Sequence, residues 1–103
     1  MIILGFDPGL TNTGYAVLKK ESNNIIFIEA GLVKPKKDKA LSARLFTIFS
    51  ETSKLIEIFS PNLVVVENVF YGKNVQSAIK LGQAKASIML SAEKHNIDLV
   101  DYS

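Results

Sequence analysis

Ile2-Ile3-Leu4-Gly5-Phe6-Asp7-Pro8-Gly9 is an unbroken apolar run of strand length that stops in a carboxylate and a Pro-Gly pair. A run without alternation reads as a central strand covered on both faces. Pro-Gly cannot continue a ladder, so the strand ends where Asp7 emerges. The same grammar returns in Leu63-Val64-Val65-Val66-Glu67, a β-branched run that also ends in an acid, with a polar and aromatic loop over residues 68–74 after it. As parallel neighbours about 4.8 Å apart, the two strands place both acids at one edge of a sheet. Hard divalent cations take carboxylate oxygens at about 2.1 to 2.5 Å, so Asp7 and Glu67 are the candidate grip for one ion or a close pair.

Outward from the first strand, residues 10–14 have the Thr, Asn and Gly content of a tight connection, and residues 15–18 read as a strand returning antiparallel. A turn over 21–24 leads to a third strand over 25–33, where Gly31 marks a bulge or an edge. Lys34, Lys36, Lys37 and Lys39 then form a basic linker, either a phosphate-contacting arm or a plain solvated connection. Leu41, Leu45, Ile48, Phe49, Thr52, Leu55, Ile56 and Phe59 recur at three- and four-residue steps, the mark of an amphipathic helix, which Ser60-Pro61 stops. The strand over 63–67 follows a helix, so a right-handed crossover makes it the parallel partner of the first strand. A second helix runs from a cap at Asn74 to about Lys94, with Ala78, Gly82 and Ala86 as a small-residue stripe, and a fifth strand occupies 97–102. The expected architecture is α/β, a five-stranded mixed sheet in the order 3-2-1-4-5 with helices packed on it.

At 103 residues the chain is expected to be a single domain with one core, so function must come from one site or one surface. A net charge of +2 does not by itself establish a nucleic-acid partner. The absence of cysteine removes disulfides, thiolate metal sites and thiol nucleophiles. No apolar run approaches the ~20 residues that span a bilayer, and the expected location is the cytoplasm, with no membrane partner.

Asp-Pro-Gly is ordinary turn chemistry, and the bland reading of Asp7 and Glu67 is two solvated loop acids. On adjacent strands, however, they repel unless a cation or a proton lies between them. Phe70 and Tyr71, next to Glu67, are placed either to stack on unpaired bases or to pack under their loop. Lys73, Lys80 and Lys85 lie on or just before the second helix, close enough to contact phosphates, although helix lysines commonly form a solvated face. With Asn74 these make the candidate DNA-facing set. His95, at the far end of that helix, reads as a helix-terminal residue and not a ligand.

Residues 3–9 with Thr13-Gly14-Tyr15, then Val66-Glu67-Asn68-Val69-Phe70, and above all Asn74-Val75-Gln76-Ser77-Ala78-Ile79-Lys80-Leu81-Gly82-Gln83-Ala84, resemble the RuvC family of bacterial Holliday junction resolvases. The resemblance runs from Met1 through Tyr102. It implies a ribonuclease H-like fold, a homodimer on a four-way DNA junction, a branch-migration complex as partner, and Mg2+-dependent (Mn2+ as substitute) phosphodiester hydrolysis. By position, Asp7 and Glu67 match the first two catalytic carboxylates, Phe70 the aromatic set against bases near the crossover, and the helix with Leu81-Gly82-Gln83-Ala84 the one packed across the dimer. The family continues past the fifth strand with two more acidic or histidine metal ligands. The expectation is therefore a truncated or degenerate resolvase domain, impaired in cleavage, with a non-catalytic junction-binding or dimerisation module as the alternative. A nucleotide-binding domain of the sugar-kinase and actin type would need a second phosphate loop that 103 residues do not supply.

If Phe70 stacks on unpaired bases, Phe70→Ala is expected to weaken junction binding by about 1 to 3 kcal/mol and to spare duplex binding, which offers no free base face. Lys73→Ala is expected to weaken both and to lower the salt slope. Equal losses on junction and duplex for Phe70→Ala would return the ring to a packing role.

Overall fold

β1 (Ile2–Asp7) is the axis of one five-stranded sheet, which it forms with β2 (Thr13–Glu21), β3 (Asn24–Val33), β4 (Leu63–Glu67) and β5 (Asp98–Tyr102). The computed structural model describes residues 1–67 and 74–102, so Phe70, Tyr71 and Lys73 lie outside the described residues. The strand order is β3-β2-β1-β4-β5, as the sequence predicts. β1 pairs antiparallel with β2, from Ile2↔Lys19 to Asp7↔Gly14, and parallel with β4, from Ile3↔Leu63 to Phe6↔Val66. Parallel neighbours cannot be joined by a tight turn, and the two crossovers are α1 (Leu41–Phe59) and α2 (Val75–Lys94).

Both helices pack on the same side. Ile48, Leu55 and Ile56 of α1 and Ala84, Ile88 and Ala92 of α2 form one core with Leu4, Phe6, Val17, Val64 and Val66. Those strand residues are alternate positions and so share a face. The crossovers β3-α1-β4 and β4-α2-β5 step across the sheet in the same direction, and connections of one hand then fall on one side. The expectation that β1 is covered on both faces is therefore corrected. Among the described residues no helix covers the other face, where Ile3, Gly5 and Val65 lie with Phe27, Leu32, Val100 and Tyr102, the last four 63, 56, 48 and 51% exposed.

Of the two roles expected of Gly31, an edge or a bulge, the edge holds, since β3 is an outer strand, and the bulge lies elsewhere. The irregularity in the β2–β3 ladder falls between Val17 and Leu18, which pair with Glu29 and Phe27, so Ile28 is the extra residue of the bulge. Gly31 instead makes room for the Tyr15 ring, since a Cβ there would lie 2.7 Å from the Tyr15 hydroxyl oxygen. That hydroxyl donates to Glu29 Oε2 at 2.7 Å, and the carboxylate holds the phenol pKa above its usual value.

α1 ends where Ser60 turns left-handed (φ 46°) ahead of Pro61. α2 begins as expected, with Asn74 Oδ1 accepting from the amides of Gln76 (2.9 Å) and Ser77 (3.3 Å). The small residues that let α2 approach its neighbours are Ala84, Ser87, Ser91 and Ala92, all buried, and the Ser53 and Ser91 hydroxyls share a buried hydrogen bond of 2.7 Å between the helices. The stripe of Ala78, Gly82 and Ala86 lies outside this core, and a Cβ at Gly82 would meet nothing within 4 Å.

Ile88 is fully buried where α2 meets the core. Ile88→Ala is expected to cost about 2 to 5 kcal/mol in urea unfolding, the usual range for an aliphatic side chain cut to a methyl in a packed core. A loss below about 1 kcal/mol would mean that α2 is not seated as described.

Candidate metal centre at the sheet edge

The parallel register ends at Phe6↔Val66, which brings the next residues, Asp7 and Glu67, side by side where both chains leave the sheet. Both strands run the same way to the same edge, so the acids meet as the sequence predicts. By alternation they point away from the helices, onto the open face. Asp7 is exposed and Glu67 half-buried, and they line an open hollow of about 520 Å3 with Gly14, Val65 and Tyr102.

The loop that follows Asp7 is tied at three points. Thr13, fully buried, donates its hydroxyl to the Gly9 carbonyl at 2.7 Å and accepts the Gly9 amide at 3.2 Å. From α1, Arg44 Nη2 donates to the Leu10 carbonyl at 3.1 Å. Gly9 is required by this closure, because a Cβ there would run into the Asn12 carbonyl. In the sequence Thr13 stands only as part of the Thr13-Gly14-Tyr15 motif, and Arg44 belongs to no motif. The available signal was an arginine inside an otherwise apolar helical repeat, next to Leu45.

Two carboxylates at one edge are hard oxygen donors, the chemistry that suits Mg2+ or Mn2+, and an open hollow leaves space for the water shell that Mg2+ keeps. The donor set fits such an ion in kind. In number it is short, since among the described residues no group of three His, Cys, Asp or Glu is placed to hold a metal. Asp101 does not add a ligand. It pairs with Val66 in register, which puts it on the helix side of the sheet, where its Oδ1 takes an ion pair with Lys85 Nζ at 3.0 Å.

Of the other candidates, Lys80 is exposed on α2, Lys85 is bonded to Asp101 with its side chain 18% exposed, and Asn74 serves as the α2 cap. His95 is the helix-terminal residue expected. Its Nδ1 lies 2.8 Å from the Ser91 carbonyl and its Nε2 3.2 Å from Glu57 Oε2.

Comparison with known proteins bears on this geometry. The family model described as crossover junction endodeoxyribonuclease RuvC matches residues 3–103. A relative of that name from Dictyoglomus thermophilum is 41% identical over 95 residues, which cover 92% of this chain and 60% of the relative. Another, from Geotalea uraniireducens, is 40% identical over 103 residues, covering 100% of this chain and 60% of its own. The structure of Thermus thermophilus RuvC superposes with a TM-score of 0.89 at 24% identity, covering 99% of this chain and 63% of that one. T. thermophilus RuvC in complex with a Holliday junction substrate gives 0.90 at 22% identity, covering 99% and 64%. These structures share the ribonuclease H-like fold. The chain spans about three fifths of the length of the curated relatives it matches. With its sheet order, its paired acids and a match along nearly its whole length, the chain belongs to the crossover junction endodeoxyribonuclease RuvC family.

Proposed function

We propose that this chain is the strand-and-helix part of a Holliday junction resolvase, a metal-dependent endonuclease that acts on four-way DNA junctions. The register that sets Asp7 beside Glu67 carries the reading. A bound Mg2+ supplies a water of lowered pKa and charge for the leaving oxygen of a phosphodiester. The chain's own part is to present two carboxylates on rigid strand ends, where their mutual repulsion favours a cation between them. Asp7 and Glu67 would hold that ion, and phosphate oxygens of the substrate would complete its shell.

A specific observation favours a second reading, a junction-binding or dimerisation module of the same fold. The described residues provide two acids where two-metal hydrolysis needs more ligands. In both readings the exposed Lys80 is the α2 lysine offered to phosphates, with Lys73, outside the described residues, as a further proposed contact, while Lys85 is engaged by Asp101 on the helix side; two copies meet through α2. The stripe of Ala78, Gly82 and Ala86 supports that contact, since it is small, not used by the core, and exposed at Gly82 and Ala86, with Ala78 half-buried. The remaining ligands are expected from outside the described residues.

Two measurements test this. Mn2+ titration is expected to show weak binding that Asp7→Asn abolishes, with stability unchanged or raised because a like-charge contact is removed. The 103-residue chain is expected to cleave junctions at or below detection; if its gene encodes a segment after Ser103, adding that segment is expected to restore cleavage that Asp7→Asn removes. Efficient symmetrical cutting by the short chain would show that two carboxylates suffice. Equal Mn2+ binding by both proteins would sink the site assignment.

For the dimer, Gly82→Glu is expected to stay folded, because the position opens on empty space within the protomer. Sedimentation should show weakened self-association. Association equal to wild type would mean that this face is not the seam.

A further inference from the structure

Arg44 stands where a cation gains nothing from its own helix. It lies in the first turn of α1, whose N-terminal end disfavours positive charge. It makes no salt bridge among the described residues, and its Nε is buried without a hydrogen-bond partner there. A half-buried guanidinium with no carboxylate opposite is costly, and the contact that the structure gives it is the 3.1 Å bond to the Leu10 carbonyl. Leu10 belongs to the loop that Thr13 closes on Gly9, directly after Asp7. Arg44 is thus the link by which α1, packed on one side of the sheet, grips the loop that orients the acid on the other.

We propose that Arg44 is a positioning residue for Asp7: through the Leu10 carbonyl it holds the 9–13 loop in the closed form that keeps the Asp7 carboxylate turned toward Glu67. This rests on the reading of Asp7 and Glu67 as an ion-binding pair, and it makes a prediction opposite in sign to simple electrostatics. As a bare charge, Arg44 repels a nearby cation, so deleting it tightens metal binding. As a positioning residue, deleting it loosens the loop and weakens metal binding, in the way that groups behind a metal's ligands do.

The test compares Mn2+ affinity and thermal unfolding of wild type, Arg44→Leu, Arg44→Lys, Gly9→Ala and Asp7→Asn. Arg44→Leu is expected to bind Mn2+ about tenfold more weakly. Arg44→Lys keeps a donor for the Leu10 carbonyl and is expected to recover most of the affinity. Gly9→Ala pushes on Asn12 from the other side of the loop without changing any charge, and is expected to weaken binding as well. A second readout uses no metal. Amide hydrogen exchange at Gly9, whose N–H is bonded to Thr13 Oγ1, is expected to quicken about five- to tenfold in Arg44→Leu, the effect of one lost hydrogen bond. Arg44→Leu and Gly9→Ala proteins that bind Mn2+ as well as wild type or better, while Asp7→Asn still abolishes binding, would overturn the proposal and leave the metal site standing. Mn2+ binding indifferent to Asp7→Asn would overturn the site reading, and the role of Arg44 with it.

Discussion

The parallel pairing of β1 with β4 is the contact on which the rest depends. It joins residues about sixty positions apart, so it exists only once α1 has folded back across the sheet. The same pairing builds the core and the site, on opposite faces. Leu4, Phe6, Val64 and Val66 face the helices and are nearly or fully buried, each such side chain contributing about 1.5 to 3 kcal/mol by leaving water. Asp7 and Glu67 come one residue later and face the other way. A slip of one residue in this register would turn apolar side chains outward and separate the acids.

The sheet is therefore two-sided in chemistry. One face is sealed by α1 and α2, with the Ser53–Ser91 hydroxyl pair as a polar tie inside an otherwise apolar seam. The other carries the acids at one edge and exposed Phe27, Leu32 and Val100 across its width. The acids thus sit at the rim of a surface that excludes little water by itself.

Charge is distributed to match. Lys85 is drawn to Asp101 on the helix side, 3.0 Å away, so one late acid is engaged by a cation instead of joining the pair at the edge. Two further lysine–carboxylate pairs, Lys19–Glu21 at 2.8 Å and Lys54–Glu51 at 3.6 Å, are exposed and contribute no more than about 1 kcal/mol each. The fold is held by burial and by the ladder. Electrostatics acts mainly where it sets the direction of particular groups, as at the loop behind Asp7.

Much of this was legible in the chain itself. Continuous apolar runs ending in Asp7 and Glu67, the three- and four-residue steps from Leu41 to Phe59, and the Asn74 cap are local patterns governed by backbone sterics and periodicity, and they gave the elements, the strand order and the meeting of the two acids. The sequence alone did not reveal which face the helices would cover, because an apolar run reads the same whether one side or both are packed. It did not separate the stripe of Ala78, Gly82 and Ala86 from the small residues that touch the core, since both recur at helical spacing. Nor did it single out Arg44. A hydrogen bond spanning 34 positions leaves no trace in local pattern; it is decided by where the tertiary structure sets the first turn of α1 against the loop behind Asp7.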